Sequence, residues 1–144
     1  MRKVLITGGS GFIGCNLIEF LLRNEYNVKN VDIVCPRNNK LTDHWIECDI
    51  LDLQKLQDIT QEYSPDLVVH LAARTDLRGD MPEHYLENTE GTENVIKSLK
   101  GIKNLKKVLF ASSRLVCRIG HNPSSENEYS ATTAYGKSKI AGEL

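Results

Sequence analysis

One segment limits the fold more than any other: Thr7-Gly8-Gly9-Ser10-Gly11-Phe12-Ile13-Gly14, with glycines at 8, 11 and 14. The short apolar run Val4-Leu5-Ile6 leads into it. Phe12, Ile13, Leu17, Ile18, Leu21 and Leu22 then fall at helical spacing up to about Arg23. A strand, a glycine turn and an amphipathic helix in that order build a phosphate-holding turn at a helix N-terminus. Gly8 allows the tight turn, Gly11 lets the backbone approach a pyrophosphate, and Gly14 lets helix and strand pack closely. No Gly-Lys-Ser/Thr follows, so the turn is not a P-loop.

The rest of the chain repeats the alternation. Strands are predicted at Asn27 to Asp32, Trp45 to Cys48, Leu67 to Leu71 and Val108 to Ala111. Helices are predicted at Leu53 to Tyr63, Glu83 to Leu99 and Tyr135 to Leu144. Leu67-Val68-Val69-His70-Leu71 is apolar almost throughout, as a strand covered on both faces should be. Arg118 to Thr133 reads as a polar connecting segment. Short strands alternating with helices mean βαβ units, a parallel sheet and right-handed crossovers. The predicted fold is α/β: a Rossmann-type doubly wound sheet of order 3-2-1-4-5, one domain over residues 1–144.

Composition removes several classes. The 144 residues carry 18 Lys and Arg against 19 Asp and Glu, a net charge of −1, so no basic surface points to nucleic acid or anionic lipid. The cluster Lys97, Lys100, Lys103, Lys106 and Lys107 reads as a solvated helix end and loop. Cys15, Cys35, Cys48 and Cys117 form no C-x-x-C pair, and His44, His70, His84 and His121 no metal spacing, so no metal is expected. Four reduced thiols, no signal-like apolar run and no membrane-length segment point to the cytoplasm.

Three further places carry chemistry. Asp32 ends the second strand, where a carboxylate accepts from ribose hydroxyls and repels a 2′-phosphate; this favours NAD over NADP. Arg37, a few residues on, weakens that preference, because it can pair with a phosphate. Tyr135 and Lys139 share one helical face. A phenol needs roughly 4 kcal/mol of preferential phenolate stabilisation to act as a base near pH 7, and a nearby ammonium supplies part of it. Ser113 follows the fifth strand, at the carboxyl edge where such sheets hold ligands, and its hydroxyl can donate to a substrate oxygen.

TGGSGFIG (7–14), Asp32, CDI (48–50), HLAAR (70–74), NTEGTEN (88–94), ASSRLVC (111–117) and YGKSK (135–139) stand in one order along nearly the whole chain. Together they resemble the extended short-chain dehydrogenase/reductase superfamily, and within it the NAD-dependent sugar-nucleotide epimerase/dehydratase family. The resemblance implies an enzyme in which NAD takes a hydride from a sugar carbon while a tyrosinate takes the hydroxyl proton. It implies cofactor contacts from Gly8, Gly11, Phe12, Ile13, Gly14 and Asp32, from Asp49 and Ile50 near the adenine, from Leu71, Ala72 and Ala73 along the cofactor, and from Asn88, Tyr135 and Lys139. It implies Ser113, Tyr135 and Lys139 as catalytic residues, a nucleotide-sugar substrate, and a homodimer packed through the 83–99 helix and the Tyr-Lys helix.

The departures refine the expectation. Arg114 and Leu115 stand where dehydratases and decarboxylases of the family carry an acid after the catalytic Ser/Thr, which favours an epimerase or ketoreductase. Cys117 and Arg118 replace the usual Tyr-Gly, and Ala131 a common Pro. Family members continue past the Tyr-Lys helix, so the sequence reads as truncated before the later strands, with the substrate-gripping region missing, an apolar fifth-strand edge and no turnover by itself. A non-catalytic NAD-binding module and an NADP-linked ketoreductase remain as alternatives.

Overall fold

The computed structural model describes residues 1–126 and 128–144; Asn127, inside the polar connecting segment, lies outside the described residues. Five parallel strands form one sheet: β1 (Lys3–Thr7), β2 (Asn27–Asp32), β3 (Trp45–Glu47), β4 (Leu67–His70) and β5 (Lys107–Phe110), in the order β3-β2-β1-β4-β5. The predicted order holds. Helices α1 (Phe12–Arg23), α2 (Leu53–Tyr63), α3 (Glu90–Ser98) and α4 (Ala134–Ala141) complete the fold.

The pleat divides the core in two. Val4, Ile6 and Val28 meet Ile18 and Leu21 of α1 on one face. Leu5, Val31 and Val68 meet Leu56 of α2 and Val95 of α3 on the other. Each face therefore takes alternate residues of every strand, as the period of two demands. Asp52 caps α2 by accepting from the Lys55 amide at 3.0 Å, and Thr133 caps α4 by accepting from the Gly136 amide at 3.0 Å.

Two expectations are corrected. The single helix over 83–99 is instead two 3₁₀ turns, Pro82–His84 and Leu86–Asn88, followed by α3. Tyr85 breaks the run: its ring is fully buried and its backbone is non-helical at φ −120° and ψ 54°. Its hydroxyl donates to the Asp76 carbonyl at 2.9 Å and accepts from the Gly79 amide at 3.1 Å. Tertiary anchoring of that ring overrides helix propensity. Strand β4 is also less covered than an all-apolar run implies: Leu67 and Val69 are only half-buried, because α1 reaches only part of their face. On the same face of β5, Leu109 is 51% exposed, and β5 forms the sheet's outer edge.

Candidate functional site at the strand ends

The glycine loop joins β1 to α1. Gly8 has φ +71°, and a Cβ there would sit 2.5 Å from the Ala72 amide nitrogen. A Cβ on Gly14 would collide with the Gly9 backbone, so Gly14 is what seats α1 on the loop. Gly11 differs: the nearest atom to an added Cβ would be the Gly8 carbonyl oxygen, at 3.4 Å. Internal packing demands Gly8 and Gly14, and leaves an open approach above Gly11. Gly11 caps α1 without a side chain. Among the described residues the amides of Phe12, Ile13 and Gly14 find no acceptor, since the helix bonds begin with Cys15 N–H donating to the Gly11 carbonyl at 2.9 Å. Phe12 and Ile13 are exposed beside them. Free amides at the positive end of a helix, with no acid in its first turn, suit an anion.

Asp32 stands beside this loop at the end of β2. Its Oδ2 accepts from the Ser10 amide and its Oδ1 from the Val34 amide, both at 3.0 Å. Each oxygen keeps a further lone pair, so the carboxylate is held without being used up. Arg37 is exposed. Asp49 lies exposed after β3 and accepts from the Leu51 amide at 2.9 Å. Ile50 turns inward: its side chain is buried in the core against Gly91, and its carbonyl accepts from Asn94 Nδ2 at 3.1 Å.

The end of β4 closes over Gly8. Leu71, Ala72 and Ala73 are half-buried there; the Leu71 amide donates to the Thr7 carbonyl at 2.9 Å and the Ala72 amide to Thr7 Oγ1 at 3.4 Å. Beneath them lies a chain of hydrogen bonds with a fixed direction. Thr92 Oγ1 donates to the Asn88 carbonyl at 2.9 Å, so it accepts from His70 Nε2–H at 3.3 Å. His70 Nδ1 then accepts from the Thr7 hydroxyl at 2.6 Å. The imidazole is neutral with its proton on Nε2. Burial, and next the charge of Lys139, push its pKa down to about 4. Asn88 is a tie: Nδ2 donates to the Arg74 carbonyl at 3.0 Å and to Ser138 Oγ at 2.9 Å, while Oδ1 accepts from the Arg74 amide at 2.9 Å. It joins the β4 loop to α4, with both amide hydrogens spent on the chain itself.

Tyr135 and Lys139 face inward from α4, each 8% exposed. The Tyr135 ring meets the edge of the Tyr85 ring with centroids 5.9 Å apart. Gly136 lets α4 lie against the Leu115 carbonyl, in the 3₁₀ turn Arg114–Val116 that Ser113 caps. Ser113 Oγ accepts from the Leu115 amide at 3.1 Å, which leaves its own proton to donate. The phenol of Tyr135 and the ammonium of Lys139 also have no hydrogen-bond or ion-pair partner among the described residues. Burial lowers the Lys139 pKa, and the charge of Glu143 opposes that shift. The Lys139 stem is buried while its unpaired ammonium still reaches the surface of the site, an arrangement that leaves the charge free for a ligand.

The fold thus gathers the glycine loop, Asp32, Leu71–Ala73, Asn88, Ser113, Tyr135 and Lys139 at the carboxyl ends of the strands. Asp49 stands apart at the end of β3, and Ile50 is withdrawn into the core. The Tyr85 anchor and the Ser10 bonds carry no local sequence signal; His70, at the end of a buried strand, is structural, and the register sets Thr7 beside it.

Residues 4–144 match the NAD dependent epimerase/dehydratase family. The chain belongs to this family. It is 32% identical over 159 residues to UDP-glucose 4-epimerase of Mycoplasma genitalium, covering 99% of this chain and 46% of that one. It is 30% identical over 163 residues to UDP-glucuronate 4-epimerase of Thermodesulfobacterium geofontis, covering 100% and 50%. Among solved structures, UDP-glucose 4-epimerase of Thermotoga maritima, determined with UDP-glucose, superposes with a TM-score of 0.84 at 26% identity, covering 99% of this chain and 49% of that one. The enzyme WbmG of Bordetella bronchiseptica, in complex with NAD and UDP, gives 0.80 at 28%, covering 97% and 47%. The chain spans about half the length of these relatives. The match extends over all five strands, so the order 3-2-1-4-5 is the family's fold, and the family's members are enzymes.

Proposed function

We propose that this chain is the cofactor-holding and proton-transferring half of an NAD-dependent epimerase or ketoreductase acting on a nucleotide-sugar. The observation that carries the reading is Lys139, a largely buried lysine whose ammonium has no ion-pair partner among the described residues, one helical turn from a largely buried tyrosine whose hydroxyl is also unpartnered. The relatives named above are called sugar-nucleotide epimerases, and WbmG is seen with NAD.

The residues fit the dinucleotide. The free amides of Phe12–Gly14 and the open approach at Gly11 would hold its pyrophosphate, the fixed Asp32 carboxylate its adenosine ribose, Asp49 its adenine edge, and Leu71–Ala73 its nicotinamide half. Asn88 would act by fixing the Arg74 loop to α4, and Ile50 by seating that wall from the core. When bound, NAD would supply the hydride acceptor and donor. Tyr135 Oη would take the proton of the sugar hydroxyl and later return it. Lys139 would orient the nicotinamide ribose beside Tyr135, and the Ser113 hydroxyl would donate to the same sugar oxygen as charge gathers there. Arg114 and Leu115 offer no carboxylate for elimination, which supports epimerisation or reduction over dehydration.

Calorimetric titration of the 144-residue protein with NAD tests the reading. Saturable one-to-one binding, with NADP weaker because of Asp32, is the expected result; a folded protein that takes up no NAD would refute it. Since the chain spans half the relatives' length, UDP-sugars are expected to give no turnover with the 144 residues alone. Four free thiols are consistent with the cytoplasm. A homodimer through α3 and α4 is part of the proposal: a hollow of about 530 Å³ on the outer face of α3, lined by Glu90, Glu93, Asn94, Lys97 and Ala141, is the surface a second copy would cover. Sedimentation equilibrium should show twice the chain mass, and a monomer at high concentration would end that part.

A further inference from the structure

We infer that Asn30 is a positioning residue that sets the adenosine end of the cofactor site through Ser10; this rests on the NAD reading above. Asn30 is fully buried in β2, beside Ile6 of β1 and Trp45 of β3, where a strand covered on both faces ordinarily places a β-branched apolar residue. Its Nδ2 donates to Ser10 Oγ at 3.0 Å. Its Oδ1 has no donor among the described residues and presses on Gly9, where a Cβ would overlap it. The amide therefore demands a glycine at position 9 and leaves half its hydrogen-bonding capacity unmet. Folding gains little from such a group, since an apolar side chain of that shape leaves no orphaned oxygen.

Ser10 shows what the amide secures. Its Oγ accepts from Asn30 and donates to the Val34 carbonyl at 2.5 Å, and its amide donates to Asp32 Oδ2 at 3.0 Å. The Val34 amide donates to Asp32 Oδ1 at 3.0 Å. Asn30, Ser10, Val34 and Asp32 form one connected set. It fixes the plane of the Asp32 carboxylate and also anchors the residue before Gly11, where the free helix amides begin. Asn30 would touch no cofactor atom. It acts by holding the Ser10 hydroxyl, which ties the glycine loop to the end of β2 through Asn30 and the Val34 carbonyl.

Asn30→Leu keeps the shape and removes the donor. The expected result is a melting temperature equal to or above that of the unaltered protein, with NAD affinity about tenfold weaker and a smaller preference for NAD over NADP. Ser10→Ala should weaken NAD binding to a similar extent. The double variant should be no more than about twofold weaker than Ser10→Ala alone, because both changes cut the same chain. A purely structural Asn30 would instead lower the melting temperature and leave affinity alone. A folded Asn30→Leu protein that binds NAD within twofold of the unaltered one overturns the inference. Should that variant not fold, an unchanged NAD affinity in Ser10→Ala overturns it just as well. An unaltered protein that binds no NAD removes the cofactor reading and this inference together, whereas normal binding in both variants removes this inference alone.

Discussion

Gly8→Ala is expected to destabilise the protein by about 3 kcal/mol or more, whereas Gly11→Ala should leave its stability within about 0.5 kcal/mol and weaken NAD binding more than tenfold. The two positions look alike in the motif but meet different surroundings. At Gly8 the backbone is left-handed, φ +71°, which by itself costs an alanine about 1 kcal/mol. The new methyl would also lie 2.5 Å from the Ala72 nitrogen, 2.7 Å from its Cα and 2.8 Å from the Leu71 carbonyl carbon. All three are backbone atoms and cannot swing aside. Relief requires the β4 end to move off, which threatens the Leu71–Thr7 bond at 2.9 Å, or Gly8 itself to shift, which threatens its bond to the Val31 carbonyl at 2.9 Å. Against a typical total stability of about 5–15 kcal/mol that is a large fraction. At Gly11 the methyl meets nothing nearer than a carbonyl oxygen at 3.4 Å, so the fold has no objection to it. Only a ligand lying on the helix amides would. Urea unfolding separates the first effect from the second, and NAD titration of the folded Gly11 variant measures the second. A Gly11→Ala protein with undiminished affinity would show that the anion does not sit there.

Stability should fall by about 3 kcal/mol as pH is lowered from 6.5 to 4, through His70. The unfolded imidazole titrates near 6.5; burial, and secondarily the Lys139 charge, hold the folded one down to about 4. Within that window the unfolded chain binds the extra proton and the native chain refuses it. The contribution is therefore complete above pH 6.5 and is lost as pH falls, at about 1.4 kcal/mol per pH unit. Below pH 4 both states are protonated and His70 adds nothing more. Protonation would also reverse the Thr7 bond, because Nδ1–H must donate to the hydroxyl that donates to it in the neutral state. Asp76, held down to about 2 by its hydrogen bonds from Arg74, is exposed and titrates below this window. Urea midpoints at pH 7.0 and 4.5 measure the slope, and His70→Asn should flatten it. An equal slope in that variant would assign it to other groups.

Most of the fold could be read from hydrophobic period and punctuation. Val4–Ile6 and Leu67–Leu71 are short apolar runs with no room to be helices, Asn27–Asp32 is a short segment ended by Asp, and Phe12–Arg23 carries an unbroken helical stripe. The 83–99 region misled because Leu86, Val95, Ile96 and Leu99 do fall at helical spacing; what interrupts them is the burial of Tyr85 by residues from another part of the loop, Asp76 and Gly79. Of the site, the loop glycines and the Tyr135–Lys139 face were visible because their spacing is local. The resemblance implies a cofactor contact for Ile50 beside Asp49, but the turn that follows β3 buries its side chain in the core against Gly91. Asn30 gave no signal by itself, since it matters only through Ser10 on another element.

The order of the strands also bears on how the protein assembles. Central β1 must find β2, pairing Lys3 with Asn27, and also β4, pairing Val4 with Leu67. Closing the longer of these loops costs roughly 0.9 kcal/mol more in chain entropy, and it must capture α2 and β3 on the way. A chain leaving the ribosome therefore completes a β1–α1–β2 hairpin of layers first, under the glycine turn, with β4 and then β5 added as they emerge. The surface that would hold the dinucleotide's phosphates is consequently among the earliest parts to take shape, while the Tyr135 helix, tied in by the Ser138–Asn88 bond and by the Tyr135 ring on Tyr85, docks later.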